Sequence, residues 1–188
     1  MSYKIAIISG SARLGRQTPK AVNYLAKVLE STDNVEDVKI LDVLEYNFPI
    51  MEERRGRNPN PPTRLDEFGD ILEQADALVF ASPEYNSSFP GSLKNTLDYF
   101  YKEYSKKPIG VLMVSGGGRG GINASHDLQK YILALGAFPM PYKLLVANVG
   151  KAFGEDGNPV EEALGISFQK FANELLWLTE GISYVKNK

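Results

Sequence analysis

Residues 3–30, YKIAIISGSARLGRQTPKAVNYLAKVLE, decide the fold. Tyr3 to Ile8 is a nearly continuous apolar run, which is how a strand covered on both faces of a parallel sheet reads. A Gly/Ser/Arg turn follows. Thr18 to Glu30 then carries one apolar stripe at helical spacing, Ala21, Val22, Leu25, Val28 and Leu29, with Thr18 as the expected cap and Pro19 at the first helical position. The same alternation repeats along the chain. Strands are expected at Val35 to Leu41, Ala77 to Ala81, Ile109 to Val114 and Leu144 to Val149, and helices from about Thr63 to Gln74, Ser92 to Tyr104, Ala124 to Leu135 and Val160 to Thr179. Tyr46 to Pro62 carries Pro, Asn and Arg without a usable period, so it reads as a long loop, a class often functional in compact domains. Five βα units with no internal repeat and no linker predict an α/β fold: a doubly wound, five-stranded parallel sheet with helices on both faces, one domain over residues 1–188.

Composition narrows the function classes. Of 188 residues 43% are hydrophobic, 23% charged and 11% aromatic, which excludes disordered and low-complexity chains. Lys+Arg at 21 against Asp+Glu at 23 gives a formal net charge of -2, so no broad positive field points to nucleic acid or an anionic membrane. The chain has no cysteine and one histidine, His126, which disfavours thiolate nucleophiles, cysteine metal clusters, histidine metal sites and a Ser-His triad. The absence of thiols fits the cytoplasm. The N-terminal apolar run is too short for a signal peptide, and no stretch approaches the roughly 20 apolar residues of a membrane span.

Ligands of open parallel sheets bind beyond the carboxyl ends of the strands, where strand order reverses. Three loops qualify. The first, Ser9 to Gln17, supplies hydroxyls (Ser9, Ser11, and Thr18 just beyond), the guanidinium groups of Arg13 and Arg16 and two glycines directly before a helix N-terminus, a combination suited to an anion. It lacks both the GxGxxG spacing and a GK[ST] ending, so a monophosphate suits it better than a pyrophosphate or triphosphate; the alternative is a tight turn with solvated arginines. The second, Ser82 to Pro90, is stiffened by Pro83 and Pro90, and Asn86 tolerates left-handed backbone angles, so it can aim N–H groups at the edge of a flat polar ring; it also reads as a rigid surface turn with Tyr85 and Phe89 packed inward. The third, SGGGRGG at 115–121, can bring bare backbone against a ring, although a glycine run is also what a flexible crossover looks like.

Those motifs resemble the NAD(P)H-dependent FMN reductase family of the flavodoxin-like fold, relatives of the quinone, chromate and azo-dye reductases. The resemblance rests on GSxR (Gly10, Ser11, Arg13), on SPEYNxSxPGxLKNxLD (Ser82 to Asp98) and on the glycines of Ser115 to Gly121, and it spans Tyr3 to about Leu176. It implies that Ser11, Arg13, Gln17 and Thr18 hold the FMN phosphate. It further implies that Pro83, Glu84, Tyr85 and Asn86 line one edge of the isoalloxazine, and that Ser115, Gly117 and Gly118 meet the pyrimidine side. A homodimer or homotetramer, with Tyr85 near the subunit boundary, is also implied. Arg16 stands where many relatives have a smaller or polar residue, and Lys94 and Asp98 read as helix-face and interface residues.

A bound FMN, with NADPH or NADH as electron donor, explains why so few acid-base residues are on offer, since the cofactor performs the redox step and no catalytic side chain is needed. The expected activity is a ping-pong transfer of hydride from NAD(P)H through FMN to a quinone, azo compound, metal oxyanion or free flavin. Two other classes compete with it. A flavodoxin-type electron carrier would bind FMN without reacting with NAD(P)H, but such carriers carry a strongly acidic face. A flavin-regulated interaction module would use the aromatic segment Tyr99 to Tyr104, whose exposure at a helix end is also the residue-level reason to expect a dimer. The basic run Arg54, Arg55 and Arg57 reads as solvated, with a 2′-phosphate contact as the alternative.

Overall fold

A computed structural model describes residues 2–186. Five parallel strands, β1 (Tyr3–Ser9), β2 (Val35–Asp42), β3 (Ala77–Pro83), β4 (Pro108–Val114) and β5 (Phe138–Val146), form one sheet in the order β2-β1-β3-β4-β5. Alternate side chains of each central strand enter different cores. Ile5 and Ile7 of β1 pack with Val79 of β3 beneath α1 (Thr18–Glu30) and α7 (Glu162–Lys186). Ala6 and Ile8 pack with Leu78 and Phe80 on the opposite face, beneath α3 (Leu65–Gln74), α4 (Gly91–Asp98) and α5 (Ile122–Ala134). Both faces being covered, nothing polar is needed along these strands, and the runs read as continuous. The chain leaves β1 for β2 on one side and returns to β3 on the other, which makes the gap between the ends of β1 and β3 the switch point.

Several boundaries differ from the sequence-based expectation. Helix α1 spans the expected residues, but its cap position is Gln17 rather than Thr18, and no side chain caps it. The fifth strand begins at Phe138, six residues before the expected start, because Pro139 and Pro141 disguise it. Prolines are tolerated there because β5 is an edge strand paired only with β4. The pairing jumps from Ile109 opposite Pro139 to Val111 opposite Lys143, a bulge that takes up Pro141. Val149, expected to end β5, instead opens the short helix α6 (Val149–Ala152), and α2 (Val43–Tyr46) precedes the long loop.

The expected helix from Ser92 to Tyr104 ends at Asp98, and a 3-10 turn occupies Lys102–Tyr104. Tyr99, Phe100 and Tyr104 turn inward: Phe100 stacks on Phe68 with ring centroids 5.1 Å apart, and the Tyr104 hydroxyl donates to Leu97 O at 3.1 Å. Tyr99 is 1% exposed and Tyr101 is 49% exposed. The exposed aromatic face expected at Tyr99 to Tyr104 therefore reduces to Tyr101, and it supports neither a subunit contact nor a partner site.

The basic run behaves differently again. Arg55, 13% exposed at its side chain, sits in ion-pair range of Asp66 (3.0 Å), Asp70, Glu73 (3.3 Å) and Glu103 (3.4 Å). A Cβ on Gly69 would lie 2.5 Å from this guanidinium, so the glycine makes the slot on α3 that Arg55 fills. Arg54 lies over the Tyr101 ring at 4.7 Å. Arg55 is thus neither solvated nor free for a 2′-phosphate: it fastens the segment 47–64 to α3.

Candidate active site

The three loops converge at the carboxyl ends of β1, β3 and β4. Gly10 donates its N–H to Ala81 O at 2.8 Å, and a Cβ at this position would come within 2.7 Å of Leu93, so only glycine lets the first loop run this close to β3 and α4. Beyond it, the backbone N–H groups of Ser11, Ala12, Arg13 and Gln17 donate to no group among the described residues. Together with the uncapped start of α1 they form an amide-lined turn of the kind that binds anions.

The two arginines of this loop have separate roles. Arg16 Nη1 donates to Ser11 O at 2.9 Å and to Asp42 Oδ1 at 2.5 Å, and the same Asp42 oxygen accepts the Leu44 N–H at 2.9 Å. Arg16 therefore ties the first loop to the end of β2 and the start of α2. Arg13 makes no ion pair among the described residues and lies 5.6 Å from the centre of the Tyr85 ring, exposed. Gln17 reaches back to Gly15 O at 3.1 Å, and Thr18 is buried at the first helical position.

The second loop is a small hairpin. Tyr85 and Ser88 exchange backbone bonds of 2.8 and 3.1 Å around Asn86 (φ 50°) and Ser87 (φ 67°), the two positive angles of a type I′ turn, which Asn adopts at low cost. Two side chains join it to its neighbours. Tyr85 Oη lies 3.3 Å from Ser11 Oγ, and the Glu84 carboxylate accepts the Ala124 N–H at 3.0 Å in the first turn of α5, where the helix dipole favours a negative charge. Pro83 is the last residue of β3, and the Asn86 side chain is exposed. Beneath the hairpin, Asp98 pairs with Lys94 and accepts the Tyr131 hydroxyl at 2.8 Å; burial, and then this bond, pushes the Tyr131 phenol well up. Lys94 and Asp98 thus join α4 to α5 within the chain.

In the third loop the glycines divide. Gly120 (φ 62°) and Gly121 (φ 80°) are required by their backbone angles, and a Cβ on Gly120 would also meet Leu145 at 2.8 Å. Gly116, Gly117 and Gly118 have no positive φ, are exposed, and have room for a side chain as far as this chain is concerned. No packing or backbone angle within the chain requires these three to be glycine. Gly117 donates its N–H to Ser115 Oγ at 3.0 Å, while the N–H groups of Gly116 and Gly118 have no partner among the described residues.

The residues fit a flavin mononucleotide. At one end are orphan amides, hydroxyls and an unpaired guanidinium; at the other is bare glycine backbone. Ser9 Oγ, at the end of β1, is the buried side-chain polar atom left without a hydrogen-bond partner among the described residues. Arg16 and its tie to Asp42 were not readable from the sequence, because the partner is 26 residues away.

Residues 3–151 match the family model described as NADPH-dependent FMN reductase. The chain belongs to that family. It is 31% identical over 144 residues to the NAD(P)H-dependent FMN reductase LOT6 of Saccharomyces cerevisiae, covering 70% of this chain and 74% of the yeast protein. It is 33% identical over 138 residues to a quinone reductase of Pseudomonas putida, with 71% of each chain covered. Among solved structures, the flavoenzyme NAD(P)H:(acceptor) oxidoreductase FerB of Paracoccus denitrificans superposes with a TM-score of 0.81 over 95% of this chain and 98% of its own, at 23% identity. A flavodoxin of Streptococcus pneumoniae superposes at 0.59 over 93% and 97%, at 14% identity, which places the fold among the flavodoxin-like sheets. Family membership makes the chain an NAD(P)H-dependent flavoenzyme with FMN as its cofactor.

Proposed function

We propose that this reductase takes hydride from NADPH or NADH onto FMN held by the three loops and delivers it to a quinone, azo compound, metal oxyanion or free flavin, the oxidised donor leaving before the acceptor enters. When bound, FMN supplies the hydride-accepting and hydride-donating chemistry. The chain supplies position and electrostatics. Ser11, Arg13, Gln17 and Thr18 hold the phosphate. Pro83, Glu84, Tyr85 and Asn86 line one ring edge, with Glu84 acting through its bond to α5. Ser115, Gly117 and Gly118 face the pyrimidine side, where the free Gly118 N–H favours negative charge, an effect worth about 2.7–4 kcal/mol for a well-placed donor. The observation that carries this reading is the pairing, at the carboxyl end of the sheet, of an uncommitted cation on an amide-lined loop with a glycine loop whose side-chain space is empty.

The purified protein is expected to be yellow, to release FMN rather than FAD on denaturation, and to bleach when mixed anaerobically with NADPH or NADH. A colourless protein that fails to take up added FMN defeats the reading, and one that stays yellow with both donors is an electron carrier. Parallel initial-rate lines at varied donor and acceptor support the ping-pong order, and intersecting lines refute it. We further place the protein in the cytoplasm, as one domain assembling into a homodimer or homotetramer; light scattering that returns a monomer mass contradicts the assembly. Among the described residues no helix is long and apolar enough to cross a membrane.

A further inference from the structure

A large groove lies beside the flavin loop rather than within it. It has a volume of about 860 Å³ and runs from Gly116, past Leu145 at the end of β5, between α6 and the start of α7. Its wall and the glycine loop are one unit: Asn148 donates its N–H to Gly117 O at 3.1 Å, and Val149 donates to Ser115 O at 3.0 Å. A ligand lying against the glycines therefore has a continuous path into the groove. Pockets of this size hold cofactor-sized ligands.

The lining is chemically mixed. Leu145 and Leu164 offer apolar surface to a flat ring, while Lys151 on α6 and Glu161 just before α7 bring opposite charges. Neither makes an ion pair among the described residues, although both line one groove. Dinucleotide sites use this pair of chemistries for opposite purposes: a carboxylate accepts from an unphosphorylated ribose 2′-hydroxyl, and a cation accommodates a 2′-phosphate.

We propose that the groove takes the adenosine-phosphate half of the nicotinamide nucleotide, with Lys151 pairing with the 2′-phosphate and Glu161 opposing it. The assignment rests on the proposed function, because the nicotinamide end must reach the flavin loop that shares Gly116 with the groove. Lys151 is then a specificity residue, favouring NADPH over NADH.

The test is calorimetry with adenosine 2′,5′-bisphosphate and adenosine 5′-monophosphate, ligands without a nicotinamide, on the full chain with FMN and on the chain stripped of it. Lys151→Ala is expected to weaken the bisphosphate about tenfold or more while leaving the monophosphate unchanged, as for loss of a charge-assisted bond. Glu161→Gln is expected to tighten the bisphosphate. In steady state Lys151→Ala should raise KM for NADPH and not for NADH. No bisphosphate binding by the wild-type chain, or an equal effect of Lys151→Ala on both ligands, overturns the assignment. Failure of the chain to take up FMN would instead strike the proposed function, since the stripped chain still reads the groove.

Discussion

Two segments of this reductase carry arginines three or fewer residues apart, and the chain uses them in opposite ways. In the segment 47–64, Arg55 is surrounded by Asp66, Asp70, Glu73 and Glu103. Asn95 and Tyr99 secure the same segment from α4: Tyr99 Oη donates to Pro49 O at 3.0 Å, and Met51 N–H donates to Asn95 Oδ1 at 2.8 Å. In the loop 10–17, Arg16 is held by Asp42, but Arg13 meets no acid and faces an aromatic ring across a turn of orphan amides. Both segments are polar and carry arginines, four in 47–64 and two in 10–17. What separates Arg55 from Arg13 is the acids that the topology brings up behind the one and not the other, so Arg55 is neutralised while Arg13 stands beside orphan amides.

That contrast predicts the largest effect at Arg55. Arg55→Met leaves Glu103, whose side chain is 2% exposed, without its cation, and breaking such a pair costs about 3 kcal/mol. Urea unfolding should show the midpoint falling with the slope unchanged, while the folded variant binds FMN as the wild type does. Arg13→Ala should do the converse. Loss of a charge-assisted bond weakens FMN by about 1.5–3 kcal/mol, and a surface change of this kind leaves stability within about 0.5 kcal/mol. FMN titration and urea unfolding of both variants decide the matter. If Arg55→Met loses FMN affinity as steeply as Arg13→Ala, the two segments are not functionally distinct. Arg16→Met falls between them, because it frees both the Asp42 carboxylate and the Ser11 carbonyl: each readout should move, by about 1 kcal/mol.

The same division marks what the sequence could disclose. Helix α1 was legible to the residue because its stripe is periodic, and Asn86 was legible as a left-handed position because few residue types accept one. The meeting of the three loops at one end of the sheet was legible because parallel strands put all their carboxyl ends on the same side. Strand β5 was not, since Pro139 and Pro141 carry a turn signal that an edge position overrides. The helix through Tyr104 was overread, because Tyr99 and Phe100 continue an apolar pattern whose true partners, Phe48 and Phe68, lie far back in the chain. Arg55 and Arg16 were opaque for one reason: an arginine's partners across 11 to 48 residues belong to the tertiary structure and not to any local pattern.

The smallest expected effect is at Tyr85, and it asks whether the second loop resembles the Arg13 side of the contrast or the Arg16 side. Tyr85 Oη is 3.3 Å from Ser11 Oγ, a neutral contact between two loops, and its ring faces Arg13. Tyr85→Phe keeps the ring and removes only the hydroxyl, so FMN affinity should fall by no more than about 0.5–1.5 kcal/mol, the range for one neutral hydrogen bond. A positioned general acid or base contributes about 10²–10⁴-fold, so at full FMN occupancy a hydroxyl that only joins the loops should cost less than about tenfold in the rate of reduction by NADPH. Stopped-flow absorbance at saturating FMN measures that rate apart from binding. A slowing of two orders of magnitude at full occupancy would make Tyr85 a catalytic residue, and the chain's role would extend beyond holding and orienting the cofactor.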